Sequence, residues 1–155
     1  MAVGVSDGVL PPHDEHAERF ALGYALTFDA VPFASLEPRH FFADAHGHIF
    51  AAIRAGADGA EAVFRHLAAT PRSADLYRRG GSPYLAELMI GVPSETPDAL
   101  AMHASACADS IREHWRRRVL CEAISRVQED LRSGECSSQE AWVRLKEASN
   151  AAAAM

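Results

Sequence analysis

With 155 residues, 48% hydrophobic and 23% charged, the chain is long enough for one packed domain and too apolar for an extended disordered tract. A formal charge of −6 argues against a free-standing nucleic-acid binder, which needs clustered Lys and Arg to neutralise phosphates. No run approaches the roughly 18 apolar residues of a membrane span, and the first residues carry no basic, apolar leader, so a soluble cytoplasmic protein is expected.

Residues 1–10 mix Gly, Ser and Asp with small apolar side chains and are expected to form a flexible arm. Pro11-Pro12 favours extended backbone, and from His13 onward Ala17, Phe20, Ala21, Tyr24, Ala25 and Phe28 fall at helical spacing. Asp14, Glu15 and Glu18 suit the first turns, where the helix dipole favours negative charge. Pro32 and Pro38 bracket a short connection. Asp44 is expected as the N-cap of a second helix that carries Phe50 and Ile53 and ends around Gly56 to Gly59. A third helix is expected over 61–69, stopped by Thr70-Pro71, and Ser82-Pro83 reads as cap plus first residue of a helix over 84–90.

Thr96-Pro97 opens the longest helical stretch, running to about Arg132, with Ile111, Trp115, Val119, Ala123, Val127 and Leu131 as its apolar stripe. Ser133-Gly134 ends it, and Ser137-Ser138-Gln139-Glu140 has the form of a capping box for a last helix carrying Trp142, Leu145 and Ala148. So short a connection implies an antiparallel helical hairpin. No alternating β-branched run is present, so the expected fold class is all-α: a helical head over about 11–110, a hairpin over about 111–149, and a tail or linker start at 150–155.

Candidate chemistry is sparse. The only lysine is Lys146, and no Gly-rich loop ends in Lys and Ser or Thr, so this chain alone carries no nucleotide-phosphate cradle. Asp44, His46 and His48 are metal-ligand types, but residues two apart on a helix diverge by about 200°, and no metal or cofactor is expected. Cys107 stands one turn from His103, yet nothing marks a cleft or an oxyanion site beside them, and no catalytic residue is assigned. Cys107, Cys121 and Cys136 form no CxxC pair and are expected as free thiols. Arg112, Arg116, Arg117 and Arg118 form the densest basic cluster, either a site for an acidic partner or a solvated face balanced by Glu113, Glu122 and Glu129.

Trp115, Val119, Val127, Leu131, Trp142 and Leu145 make the sharper signal. Two helices alone cannot bury all of them, and each large side chain left wet forgoes roughly 1.5–3 kcal/mol. Either the hairpin folds back on the head or it pairs with another copy; an interface between copies is the expectation.

Short motifs recur in a fixed order: Leu10-Pro11-Pro12-His13, Ala17-Glu18, Leu22-Gly23, Phe41-Phe42, Ala45-His46, Ile49-Phe50, Gly80-Gly81, Tyr84-Leu85-Ala86-Glu87-Leu88, Val92-Pro93-Ser94 and Ile111-Arg112-Glu113. In order and spacing these resemble the N-terminal domain of the DnaB-family replicative DNA helicase, over about residues 10–148. The resemblance implies a helical head and hairpin in which hairpins pair subunits into a collar that receives primase and, in some systems, a helicase loader. It also implies that His46, ahead of Ile49-Phe50, belongs to the helical head. The chain departs from the family at Gly56-Ala57-Asp58-Gly59, where a Pro-Ile-Asp or Pro-Val-Asp stretch is common, and at Arg116 and Arg117, where apolar residues are usual. The implied function is a non-catalytic assembly and docking domain acting in DNA replication, with direct DNA binding and membrane attachment not expected. The rivals are a motor-less regulator that mixes with a full-length helicase, and a small cytosolic enzyme using the His or Cys residues.

Overall fold

The computed structural model describes residues 10–154, so the arm expected at 1–10 lies outside the described residues save for Leu10. Among the described residues there is no strand, and the all-α expectation holds. The helices are α1 (Glu15–Thr27), α2 (Asp44–Arg54), α3 (Gly59–Ala68), α4 (Ser73–Arg78), α5 (Ser82–Ile90), α6 (Pro97–Ser133) and α7 (Ser138–Ala154). Two compact units separate: one is Asp14–Arg112, and the other comprises residues 10–13 and 113–154 of the described chain. The division falls inside α6.

In the first unit, Asp14 starts α1 by accepting the Ala17 N–H on Oδ1 at 2.9 Å, and its Oδ2 accepts the Ser110 hydroxyl at 2.6 Å. One cap residue therefore orients both α1 and α6. The helix buries Ala17, Phe20, Ala21, Leu22 and Ala25, and packs chiefly on α5 and α2. Its closest approach is at Gly23, where a Cβ would lie 2.1 Å from the Leu88 carbonyl oxygen, so only glycine fits. Around α1 the core is filled by Phe33, Leu36, Ile49, Phe50, Val63, Leu67, Leu76, Leu85, Leu88 and Ile111.

Two local readings are corrected and one helix is added. Asp44 is the first residue of α2 rather than its cap; Ala43 precedes it and has no polar side chain to offer, and the Glu18 carboxylate from α1 accepts the Phe42 and Ala43 N–H groups there. Ser82 is likewise the first residue of α5, with Gly81 before it. The segment after Pro71 holds a further helix, α4, six residues long and anchored by buried Leu76 alone, too brief to show a period. Between α1 and α2 the chain makes short 3-10 turns at Val31–Phe33 and Pro38–His40, each opened with the help of a proline.

In the second unit, α6 stops where Gly134 adopts φ 77°, a left-handed conformation with open space around it. The capping box forms as expected: Glu140 Oε2 accepts the Ser137 N–H at 2.7 Å, and the Glu140 N–H donates to Ser137 Oγ at 3.3 Å. Those bonds from Ser137, backbone first, hold the Glu140 carboxyl below its ordinary 4.5, so the box is intact above that value and is lost as pH falls through the lowered one. Val127, Cys136 and Ala141 bury together with Leu145 packed against them, and Arg144 pairs with Asp130 at 2.6 Å. Residues 150–154, expected as tail, continue α7 to Ala154.

Two glycine substitutions separate packing from backbone conformation. Gly23→Ala drives a Cβ into backbone and is expected to cost at least about 3 kcal/mol, whereas Gly134→Ala meets no neighbour and costs about 1–2 kcal/mol for its left-handed backbone. Denaturant melts of the two variants check the order, and equal losses would show that α1 and α5 can separate without penalty.

Candidate functional site

The most closely organised side chains in the first unit are Glu18, His46 and Tyr84, brought together from α1, α2 and α5. Glu18 is 2% exposed and His46 0%. His46 Nδ1 lies 2.7 Å from Glu18 Oε2, and His46 Nε2 lies 2.6 Å from the Tyr84 hydroxyl. Glu18 Oε1 also accepts the Phe42 N–H at 2.6 Å, and the Ala43 N–H approaches Oε2 at 3.5 Å. Above the Tyr84 ring sits the Arg19 guanidinium, 5.3 Å from the centroid, with Nη1 3.5 Å from the hydroxyl. A guanidinium only donates, so the Tyr84 oxygen accepts from Arg19 and keeps its own proton to give to His46 Nε2 in the tautomer whose Nδ1–H faces Glu18.

Acid, imidazole and hydroxyl in that order have the form of a hydrolase relay. Here the hydroxyl is phenolic and buried, and burial pushes its pKa above the ordinary range against the lowering effect of Arg19 and Arg79. A nucleophile sealed from substrate and held protonated performs no attack, so the trio is a clasp between three helices.

The other candidates are dispersed. His48 turns away from His46 and lies 3.3 Å from Asp75 without hydrogen-bond alignment. Among the described residues no three His, Cys, Asp or Glu side chains are grouped to hold a metal ion. Burial, and then Asp14, push the Cys107 thiol up to about 11, which removes the thiolate a nucleophile needs. His103 instead stacks on Phe20 at 4.0 Å.

The arginine cluster is engaged within the chain rather than aligned as one track. Arg112 bonds Ser35 and lies 3.7 Å from Asp109, Arg117 pairs with Glu113 at 3.0 Å, and Arg118 donates to the Pro12 carbonyl at 2.8 Å. Arg116 is half-buried. Glu122, expected to balance the cluster, pairs with Arg126 instead.

On the hairpin the six expected interface residues divide. Trp115, at 7% exposed, and Val127 are buried within a single chain, which corrects the expectation that both need another molecule. Val127 is covered by Cys136, Ala141 and Leu145, and Trp115 comes one turn after fully buried Ile111 on α6. Val119 and Leu145 are half-buried. Leu131, at 42%, and Trp142, at 70%, remain in water. Ala141 takes the inward position on α7 in place of Trp142, a difference of one residue that turns the indole about 100° outward.

Helical phase collects Ile124, Leu131 and Trp142 on one edge, whereas Val143, 45% exposed, lies about 200° from inward-facing Ala141 on the back of α7. Arg144 reaches Asp130 along one side of the hairpin, and Trp142 lies about 200° round α7 from Arg144, on the other side. Passing from Asp130 beyond Val127 round α6 leads to Leu131 and Ile124, about 100° and 120° away, on that same side. Ile124, 44% exposed, was not singled out from sequence because it falls outside the steps of four counted from Ile111. Counting from Leu131 in a step of seven would have found it.

Removing the shared carboxylate by Glu18→Ala leaves the Phe42 N–H and His46 Nδ1–H buried without an acceptor, and an unfolding loss of about 3 kcal/mol is expected. A loss under about 1 kcal/mol would mean the clasp is dispensable. Thiol labelling should modify exposed Cys121 first and Cys107 and Cys136 only on unfolding; rapid labelling of Cys107 in the native chain would contradict its burial.

Comparison with known proteins accords with this geometry. The family model described as DnaB-like helicase N terminal domain matches residues 10–113. No curated protein matches. Twenty-seven chains of solved structures do. One is the crystal structure of the N-terminal domain of DnaB helicase from Mycobacterium tuberculosis, 30% identical, with a TM-score of 0.72 over 91% of this chain and 99% of that chain. The chain belongs to the DnaB-like helicase N-terminal domain family.

Proposed function

We propose that this chain is a non-catalytic assembly and protein-docking domain of replicative-helicase type, acting in the cytoplasm in DNA replication through self-association and through binding of primase or a helicase loader. The observation that carries the reading is the exposure of Ile124, Leu131 and Trp142, which helical phase places on the same side of the hairpin. An indole held in water on a two-helix arm is the kind of group that anchors protein interfaces. Family membership supports the partner class, and the chemistry of the chain agrees with a docking role. The one lysine is Lys146 on α7, no Gly-rich phosphate loop is present, and the Glu18–His46–Tyr84 trio is sealed from solvent.

Direct DNA binding is not part of this reading. The four arginines tested as a basic patch are spread over two compact units, and three of them bond groups within the chain.

Capture of primase, loader and full-length helicase from the same cell tests the proposal. Retention of primase or loader is the expected result, weakened at least about tenfold or about 1.4 kcal/mol by Trp142→Ala if the edge is the docking surface. Exchange into full-length helicase alone would favour the regulator. Failure to retain any of the three, with no self-association, would overturn the assembly reading.

A further inference from the structure

We infer that the first unit carries a docking socket of its own, between the 3-10 turn Val31–Phe33 and the end of α2, built to take one apolar side chain of a partner peptide together with the carboxylate next to it. This goes beyond the hairpin reading and does not depend on it. The socket is a cavity of about 350 Å³ lined by Val31, Phe33, Ala34, Phe50, Ile53 and Arg54. Phe33 and Phe50 are fully buried and form a fixed apolar floor, while Val31, 76% exposed, stands at the rim. The Asp29 carboxylate accepts the Val31 N–H at 2.8 Å, which pins that rim. Arg54 is the one charged group among the lining residues. Its Nη1 donates to the Leu36 carbonyl at 2.8 Å, so the guanidinium is held in place with most of its N–H donors still available.

Charge selects the occupant. Arg19, Arg39, Arg65, Arg78, Arg79 and Arg112 each stand within 4.0 Å of a carboxylate, whereas among the described residues none pairs with Arg54. Arg72 is also without an ion pair, but the cavity it lines holds Asp44 as well, so its charge is already offset there. A guanidinium at the edge of an apolar floor is matched by a planar carboxylate, which it grips through two parallel bonds, next to a side chain that fills the floor. A small-molecule site converges several polar groups on its ligand, and this cavity offers one. A long acidic tract is disfavoured because the chain as a whole carries −6. The fitting partner is therefore an extended peptide segment with a leucine- or phenylalanine-sized side chain beside a single aspartate or glutamate.

The test follows the amide resonances of Val31, Ala34 and Ile53 while the intact chain is titrated with a Gly/Ser peptide carrying one leucine followed by one aspartate. The expected result is saturable shifts at these residues with a Kd on the order of 0.1–1 mM, weakened at least about tenfold by asparagine in place of the peptide's aspartate, and by Val31→Asp in the chain. Val31 is exposed, so Val31→Asp should melt as the parent chain does, and it keeps the test sound even where Arg54→Gln loses the Leu36 bond and unfolds. No saturation up to about 5 mM peptide, or binding that ignores Val31→Asp, would overturn the socket. Equal binding of the asparagine peptide would overturn the part given to Arg54. Isocaproate, which carries the same branched side chain and a carboxylate without a peptide, should bind far more weakly; equal affinity would make this a small-molecule site. Shifts at the same residues on concentrating the chain alone would give the socket to a second copy, and either of these last two outcomes overturns the peptide.

Discussion

A carboxylate buried at 2% exposure must have its lone pairs filled, because an ion taken from water without partners costs several kcal/mol. Glu18 meets that demand by drawing the backbone start of α2 and the ring of His46 onto α1, and His46 in turn draws Tyr84 from α5. Three helices distant in sequence are thereby given one mutual arrangement. The apolar core alone tolerates sliding and repacking far more readily than a hydrogen-bonded trio with fixed donors and acceptors. Gly23 belongs to the same constraint from the steric side, since α1 and α5 approach so closely there that no side chain fits between them.

The hairpin obeys another logic. Its own buried cluster is small, Val127 with Cys136 and Ala141, and its start and stop are set locally by the capping box at Ser137 and the left-handed Gly134. A unit with so few enclosed groups keeps some of its apolar residues in water, and helical phase puts Ile124, Leu131 and Trp142 on the side away from the Asp130–Arg144 ion pair. The head is specified internally, whereas the hairpin is specified as far as its turn and then presents a face outward.

Local signals carried much of this. Pro97 and Gly134 bound α6 within a residue of the expected limits, the Ser137–Glu140 box forms, and the ordered motifs placed the chain in its family before any helix was seen in space. Other features were invisible for physical reasons. Glu18, His46 and Tyr84 are separated by 28 and 38 residues, and a lone acid, a lone imidazole and a lone phenol carry no periodicity. Glu18 read as a first-turn charge favoured by the helix dipole, which is where it sits, but its partners come from other helices. Trp142, expected at an interface, stands 70% exposed, while the smaller Ala141 beside it takes the inward position on α7, a phase that hydrophobicity alone does not show. The arginines were read for charge alone, and their bonds to Ser35, Glu113 and the Pro12 carbonyl lie beyond what charge can show.

The most direct test reads Trp142 itself. With Trp115→Phe, Trp142 is the one remaining indole in the chain, and iodide quenching of its fluorescence reports whether water reaches it. In the separated chain it should quench freely and emit as a wet indole. Once copies are joined, emission should shift to the blue and quenching should fall several-fold. An indole that stays equally open to iodide when the copies are joined would contradict the claim that this edge is the surface through which the domain assembles.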